Sequence, residues 1–72
     1  MPLEVKIATF PNEMMARYWA DVLKEEGIPS VIKPLYGGYG VFGHVSLIPH
    51  GLYVLPADEE RARQFIDKGN QA

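Results

Sequence analysis

The chain has 72 residues, no cysteine, a net charge of −2, and seven Lys and Arg against nine Asp and Glu. It is one domain at most, and a chain this short hides only about 60% of its unfolded surface, so close packing or a partner subunit must support it. Disulfides, iron–sulfur clusters and cysteine-based zinc sites are excluded. The cations are scattered, mostly beside acids as in Lys24-Glu25-Glu26 and Glu59-Glu60-Arg61, so the clustered basic patch of a nucleic-acid-binding domain is missing.

The opening MPLEVKIATF lacks a basic segment followed by an apolar run, so it does not read as a secretory signal. With the absence of cysteine, this points to a cytoplasmic protein. Leu3-Glu4-Val5-Lys6-Ile7-Ala8-Thr9 alternates apolar and polar residues. Leu3, Val5 and Ile7 then share one face of a half-buried strand. Phe10-Pro11-Asn12 breaks the strand. Asn12 is placed to cap a helix, and Glu13 follows in the first turn, where the helix dipole favours an acid. From Glu13 to Glu26, Met15, Trp19, Val22 and Leu23 recur at helical spacing with Tyr18 alongside, which predicts one buried stripe. Gly27 supplies a left-handed stop and Pro29 prevents the helix from resuming. Ile28 to Lys33, with β-branched Val31 and Ile32, reads as a second strand that Pro34 closes.

Residues 35–43 form a loop rich in glycine and aromatics. His44 to Ile48 reads as a strand, Pro49-His50-Gly51 as a turn, and Leu52 to Leu55 as a further strand. Pro56-Ala57-Asp58 starts the last helix, with Asp58 as its cap and Glu59 and Glu60 in its first turn. Ala62, Phe65 and Ile66 form its buried face, and residues 69–72 a polar frayed end. No Asp, Glu, Lys or Arg lies between Lys33 and Asp58, a stretch long enough to cross a bilayer. Its five glycines and Pro34, Pro49 and Pro56 break any membrane helix, so buried strands with a packing loop fit better and no membrane partner is expected. The order β-α-β-(loop)-β-β-α predicts a single α+β domain over 1–72, a two-layer sandwich with two helices on one face of a small sheet. The helix between the first two strands predicts that these run parallel.

Three pieces together carry a family resemblance: TFPNE at Thr9–Glu13, EEGIPS at Glu25–Ser30, and LYVLPADEERA at Leu52–Ala62. From about Val5 to Ile66 the chain resembles the putative prokaryotic signal-transducing proteins, small bacterial domains. The resemblance implies a ferredoxin-like fold related to nitrogen-regulatory PII proteins and a signalling role, and it supplies no catalytic residues. Some relatives carry a cysteine-bearing metal module, for which this chain has no cysteines.

GYGVFGHV, Gly38 to Val45, has the G-x-G-x-x-G-x-V spelling of a phosphate loop. A dinucleotide loop must run into a helix, and a kinase-type loop needs a lysine on the next strand. Here His44-Val45-Ser46-Leu47-Ile48-Pro49 follows, and no Lys or Arg occurs until Arg61. The PII resemblance implies a nucleotide site near this loop, but the loop itself has no basic residue to hold phosphates.

A contact surface fits the side chains better. Tyr36, Tyr39 and Phe42 recur every three residues among glycines, a composition common at binding surfaces. The candidate binding residues are Tyr36, Gly38, Tyr39, Gly40, Phe42 and His44. The alternative is that these rings fold back over the sheet and close a small core. His44 and His50 have no acid nearby, while zinc wants three or four ligands, so no metal or other cofactor is expected. His44 can still act as a proton-sensitive contact. Ser30 and Ser46 lack a G-x-S-x-G elbow, and the carboxylate pairs sit on helix ends, so no enzyme is expected.

The expectation is a non-enzymatic regulatory or signalling interaction module. It contacts an unidentified protein partner or a second subunit through residues 35–44 and forms a homo-oligomer on the open face of its sheet. The competing reading is a PII-like sensor that binds a nucleotide or metabolite at a subunit cleft.

Overall fold

A computed structural model describes residues 3–35 and 48–70. Strand β1 (Val5–Phe10) gives way to helix α1 (Glu13–Glu25) at Asn12, whose backbone is extended and whose side-chain oxygen accepts from the Met15 N–H at 2.9 Å. The helix stops at Gly27, where φ is 79°. Gly27 N–H returns to the Lys24 carbonyl and Ile28 N–H to the Leu23 carbonyl. This paired return satisfies the last carbonyls of a helix and requires a left-handed residue at Gly27. Arg61 adds a bond to the Glu26 carbonyl, tying the stop to the second helix. Strands β2 (Ser30–Pro34) and β3 (His50–Val54) follow, then a 3-10 turn (Pro56–Asp58) and helix α2 (Glu59–Asn70).

The sheet has the order β1-β3-β2, with β3 antiparallel to both neighbours. β1 and β2 are therefore parallel, as expected, but β3 lies between them. One core joins Ile7, Phe10, Leu52 and Val54 of the sheet to Ala16 and Leu23 of α1 and to Ala62 and Ile66 of α2, with Ile28 beneath the turn. Both helices thus pack on one face of the sheet. This is a small α+β sandwich consistent with the ferredoxin-like expectation.

The structure corrects the sequence reading at several points. His50 and Gly51 form no turn. They lie in β3, with His50 opposite both Phe10 and Pro34, and Gly51 opposite both Thr9 and Lys33. A central strand bonds on both sides, and that pairing outweighs the local turn preference of glycine. A Cβ at Gly51 would meet Tyr53 Cε1 at 2.9 Å and both Leu35 Cδ2 and Lys6 Cδ at 3.0 Å, so this glycine marks a close approach within a strand. Leu55 lies just beyond β3 and caps the 3-10 turn. Asp58 belongs to that turn and its N–H bonds to the Leu55 carbonyl. Pro56 starts the turn with its φ preset and no donor to satisfy. Of the strand expected over His44 to Ile48, residues 44–47 lie outside the described residues, and Ile48 precedes β3.

The buried face of α1 is rotated by about one position. Ala16 and Leu23 are fully buried, with Trp19 and Ala20 packed against the core, while Met15 is 44% and Tyr18 61% exposed. Small Ala16 and Ala20 let the helix approach the sheet; a Met at the contact would hold it off. Tyr18 packs edge-on against Trp19 with ring centres 5.3 Å apart. β1 breaks its own alternation through a bulge between Lys6 and Ala8. The extra residue lets Ile7, Ala8 and Phe10 all reach the core side, whereas Leu3 is 75% exposed. Helix α2 includes Gly69 and Asn70, which the sequence places in the polar end.

Candidate interaction surface

Tyr36, Gly38, Tyr39, Gly40, Phe42 and His44 lie outside the described residues. The two ends of their segment are described and are tied together: Leu35 N–H donates to the Pro49 carbonyl at 3.0 Å. The segment therefore leaves and re-enters the sheet at one place. Leu35 also reaches the space above Gly51, which puts the start of the segment at the rim of the open sheet face.

His50 turns inward. It is 3% exposed, and its Nδ1 lies 2.8 Å from the Ile48 carbonyl. It serves the core, not a ligand site. Among the described residues, no three His, Cys, Asp or Glu side chains gather as metal ligands.

The open face carries Lys6, Val31, Lys33 and Tyr53, since residues opposite or two apart share a face. Lys33 Nζ donates to Glu4 Oε1 and sits 4.8 Å from the centre of the Tyr53 ring. The hydrogen bond to Glu4, helped by that carboxylate's charge and outweighing slight desolvation, holds the Lys33 ammonium above its ordinary pKa. The result is a polar clasp over an aromatic ring.

The two edges of the sheet differ. In an antiparallel pair, alternate residues bond to the partner strand and the rest face away. The bond from Leu35 to Pro49 shares the register of Pro34 opposite His50, so Val31, Lys33 and Leu35 bond inward. Ser30, Ile32 and Pro34 therefore turn their backbone groups outward. By the same alternation, Lys6 faces outward on β1, and there Arg63 covers the edge: its Nη1 donates to the Ile7 carbonyl and its Nη2 to the Lys6 carbonyl. Among the described residues nothing pairs with the outer edge of β2. A groove of about 760 Å³ runs along it, lined by Arg17, Ala20, Asp21 and Lys24 of α1 and by Pro29 and Ile32. The sequence carried one signal for this edge. Pro34, at a strand end, marks a position whose missing N–H faces away from the sheet.

No helix among the described residues is long and apolar enough to cross a membrane. No curated protein and no solved structure matches the chain. A family model does match, over residues 5–70, and its description names a signal-transducing role in general terms. That span holds the capped start of α1, its glycine stop, and the run from β3 into α2. The chain belongs to the family described as putative prokaryotic signal transducing protein.

Proposed function

We propose that this chain is a non-enzymatic signalling module that works by protein contact, with segment 35–44 as its contact element. The observation that supports this reading is the tie between Leu35 and Pro49. It anchors both ends of a segment carrying Tyr36, Tyr39 and Phe42 at the rim of the sheet. An anchored segment loses less freedom on binding than a free one, and aromatic side chains supply contact area at low entropic cost. The family's signal-transducing description agrees with this role. The test is affinity capture from cells that naturally express the protein, with the native chain and with Tyr36→Ser/Tyr39→Ser. A partner retained by the native chain and lost by the variant is expected. Identical capture by both would overturn the assignment to this segment.

A second reading is a small-ligand sensor. The groove between α1 and β2 supports it, because its volume falls within the range of about 300–1,000 Å³ typical of ligand sites and Arg17 and Lys24 line it. A saturable thermal shift with ATP or a cyclic nucleotide would favour the sensor over the contact module.

A further inference from the structure

We propose that the outer edge of β2, unpaired among the described residues, is completed by β2 of a second copy of this chain, related by a two-fold axis at Ile32. The two three-stranded sheets then become one continuous sheet, with each α1 beside its copy. This deepens the contact-module reading by naming a partner, and the residues it relies on lie outside segment 35–44.

The backbone of the edge is self-complementary. Ser30, Ile32 and Pro34 face outward, as the register and the bond from Leu35 to Pro49 require. With Ile32 opposite the copy's Ile32, the two residues exchange both of their hydrogen bonds. Each Ser30 then stands opposite the copy's Pro34. Proline offers an acceptor and no donor, and Ser30 N–H supplies the donor. Moving the axis to Pro34 would set two donorless residues against each other. The centre at Ile32 makes fullest use of this edge.

The helix above the edge shows the same symmetry in its charges. Glu13, Arg17, Asp21 and Lys24 follow one another at helical spacing on one flank of α1, and the last three line the groove beside β2. Their signs alternate. An antiparallel copy of the stripe sets Arg17 against the copy's Asp21 and Glu13 against the copy's Lys24, and the reverse. That reciprocal match specifies a second copy of this chain over an unrelated strand.

The two centres also fall near the same level. The stripe is centred near Trp19, eight residues before Gly27, or about 12 Å along a helix at 1.5 Å per residue. Ile32 lies five residues after Gly27, at most about 16 Å of extended chain at 3.3 Å per residue, with β2 itself starting at Ser30. The difference is roughly one strand residue. Since α1 packs over β2, joining the strands at their usual spacing of about 4.8 Å brings the two helices toward the roughly 8–10 Å separation of packed helices. A domain of this size gains most from such a partner.

The test combines sedimentation with exchange of charges. Native protein should show a monomer–dimer equilibrium between micromolar and millimolar concentrations. Arg17→Glu alone and Asp21→Arg alone each place like charges across the axis and should shift the protein to monomer while far-UV circular dichroism stays native. Mixing the two variants restores both attractive pairs and should restore a dimer containing one of each. Backbone amide exchange gives an independent readout. Ser30 and Ile32 should become protected as concentration rises, whereas Val31 and Lys33, bonded to β3, should be protected throughout. A native protein that stays monomeric across the range, single variants that still dimerise, a mixture that stays monomeric, or Ser30 and Ile32 amides indifferent to concentration would each overturn the proposal. The charge variants leave segment 35–44 unaltered, and Tyr36→Ser/Tyr39→Ser leaves this edge unaltered, so the two readings fail separately.

Discussion

Arg63 of α2 donates to the carbonyl of Ile7 at the bulge of β1, with Nη1 3.2 Å from the oxygen. The bulge brings Ile7 to the core and leaves the carbonyls of Lys6 and Ile7 facing out of the sheet. Arg63 spans both, and Glu59 one turn earlier holds the guanidinium through Nε and Nη2 at 3.1 and 3.0 Å. A single side chain thus binds α2 to the sheet and covers an edge that would otherwise offer itself to another strand.

Arg63→Met keeps the aliphatic stem and removes these bonds. A net hydrogen bond contributes about 1 kcal/mol, and the partly exposed position argues for a loss of that order. Urea denaturation should show a lower midpoint, with Arg63→Lys intermediate because a single ammonium nitrogen lacks the spread donors of the guanidinium fork that reach two carbonyls and Glu59 together. An unchanged midpoint in Arg63→Met would show that the edge needs no such cover.

Gly69→Ala tests the contact between the end of α2 and the middle of α1. Helix propensity alone would make the substitution stabilising by about 1 kcal/mol. Here a Cβ would stand 2.0 Å from Trp19 Cη2 and 2.8 Å from Cζ2, and a ring stacked against Phe10 and edge-on to Tyr18 has little room to move. Overpacking costs about 1–3 kcal/mol, so the clash wins and the variant is less stable. Its Trp19 fluorescence should shift as the indole is displaced. A rise in melting temperature would refute this reading of Trp19.

Asn12→Ala removes the acceptor for the Met15 N–H and should cost about 1 kcal/mol, while Asn12→Asp should be close to neutral because it keeps the acceptor. Thermal melts followed by circular dichroism at a helix wavelength will separate the two. Equal losses in both would place the effect elsewhere than the cap.

Lys33 gives a pH dependence of defined sign. Its folded-state pKa lies above the ordinary lysine value of 10.5, chiefly because it donates to Glu4. A raised pKa means that the folded state holds the proton more tightly. The contribution is therefore complete below the ordinary value and is lost as pH rises through the raised one. The stability difference between native protein and Lys33→Met should stay constant from neutral pH to about pH 10 and shrink above it. A difference that grows at alkaline pH would contradict the Lys33–Glu4 pairing.

Signals confined to a few residues were legible in the sequence. The Asn12 cap, the left-handed Gly27 with Pro29 behind it, and the closing Pro34 each express the backbone's own preferences within one turn or one strand. These signals determined the element order up to β2, the α+β class and the family resemblance. The composition of residues 35–44 also marked the segment proposed as the contact element.

Only the tertiary structure decided which residues met. His50 and Gly51 entered β3 because partners on both sides supplied bonds that a turn cannot match. Ala16 took the place expected of Met15 because the distance from helix to sheet set the size of the contact residue. The outer edge of β2, unpaired among the described residues, was hidden for the same reason. Whether Ile32 turns its N–H inward or outward is undefined until Leu35 meets Pro49 and sets the register. Local sequence determines what each backbone segment prefers, while pairing across the sheet determines which groups are left over, and those leftover groups are the surface on which a partner can act.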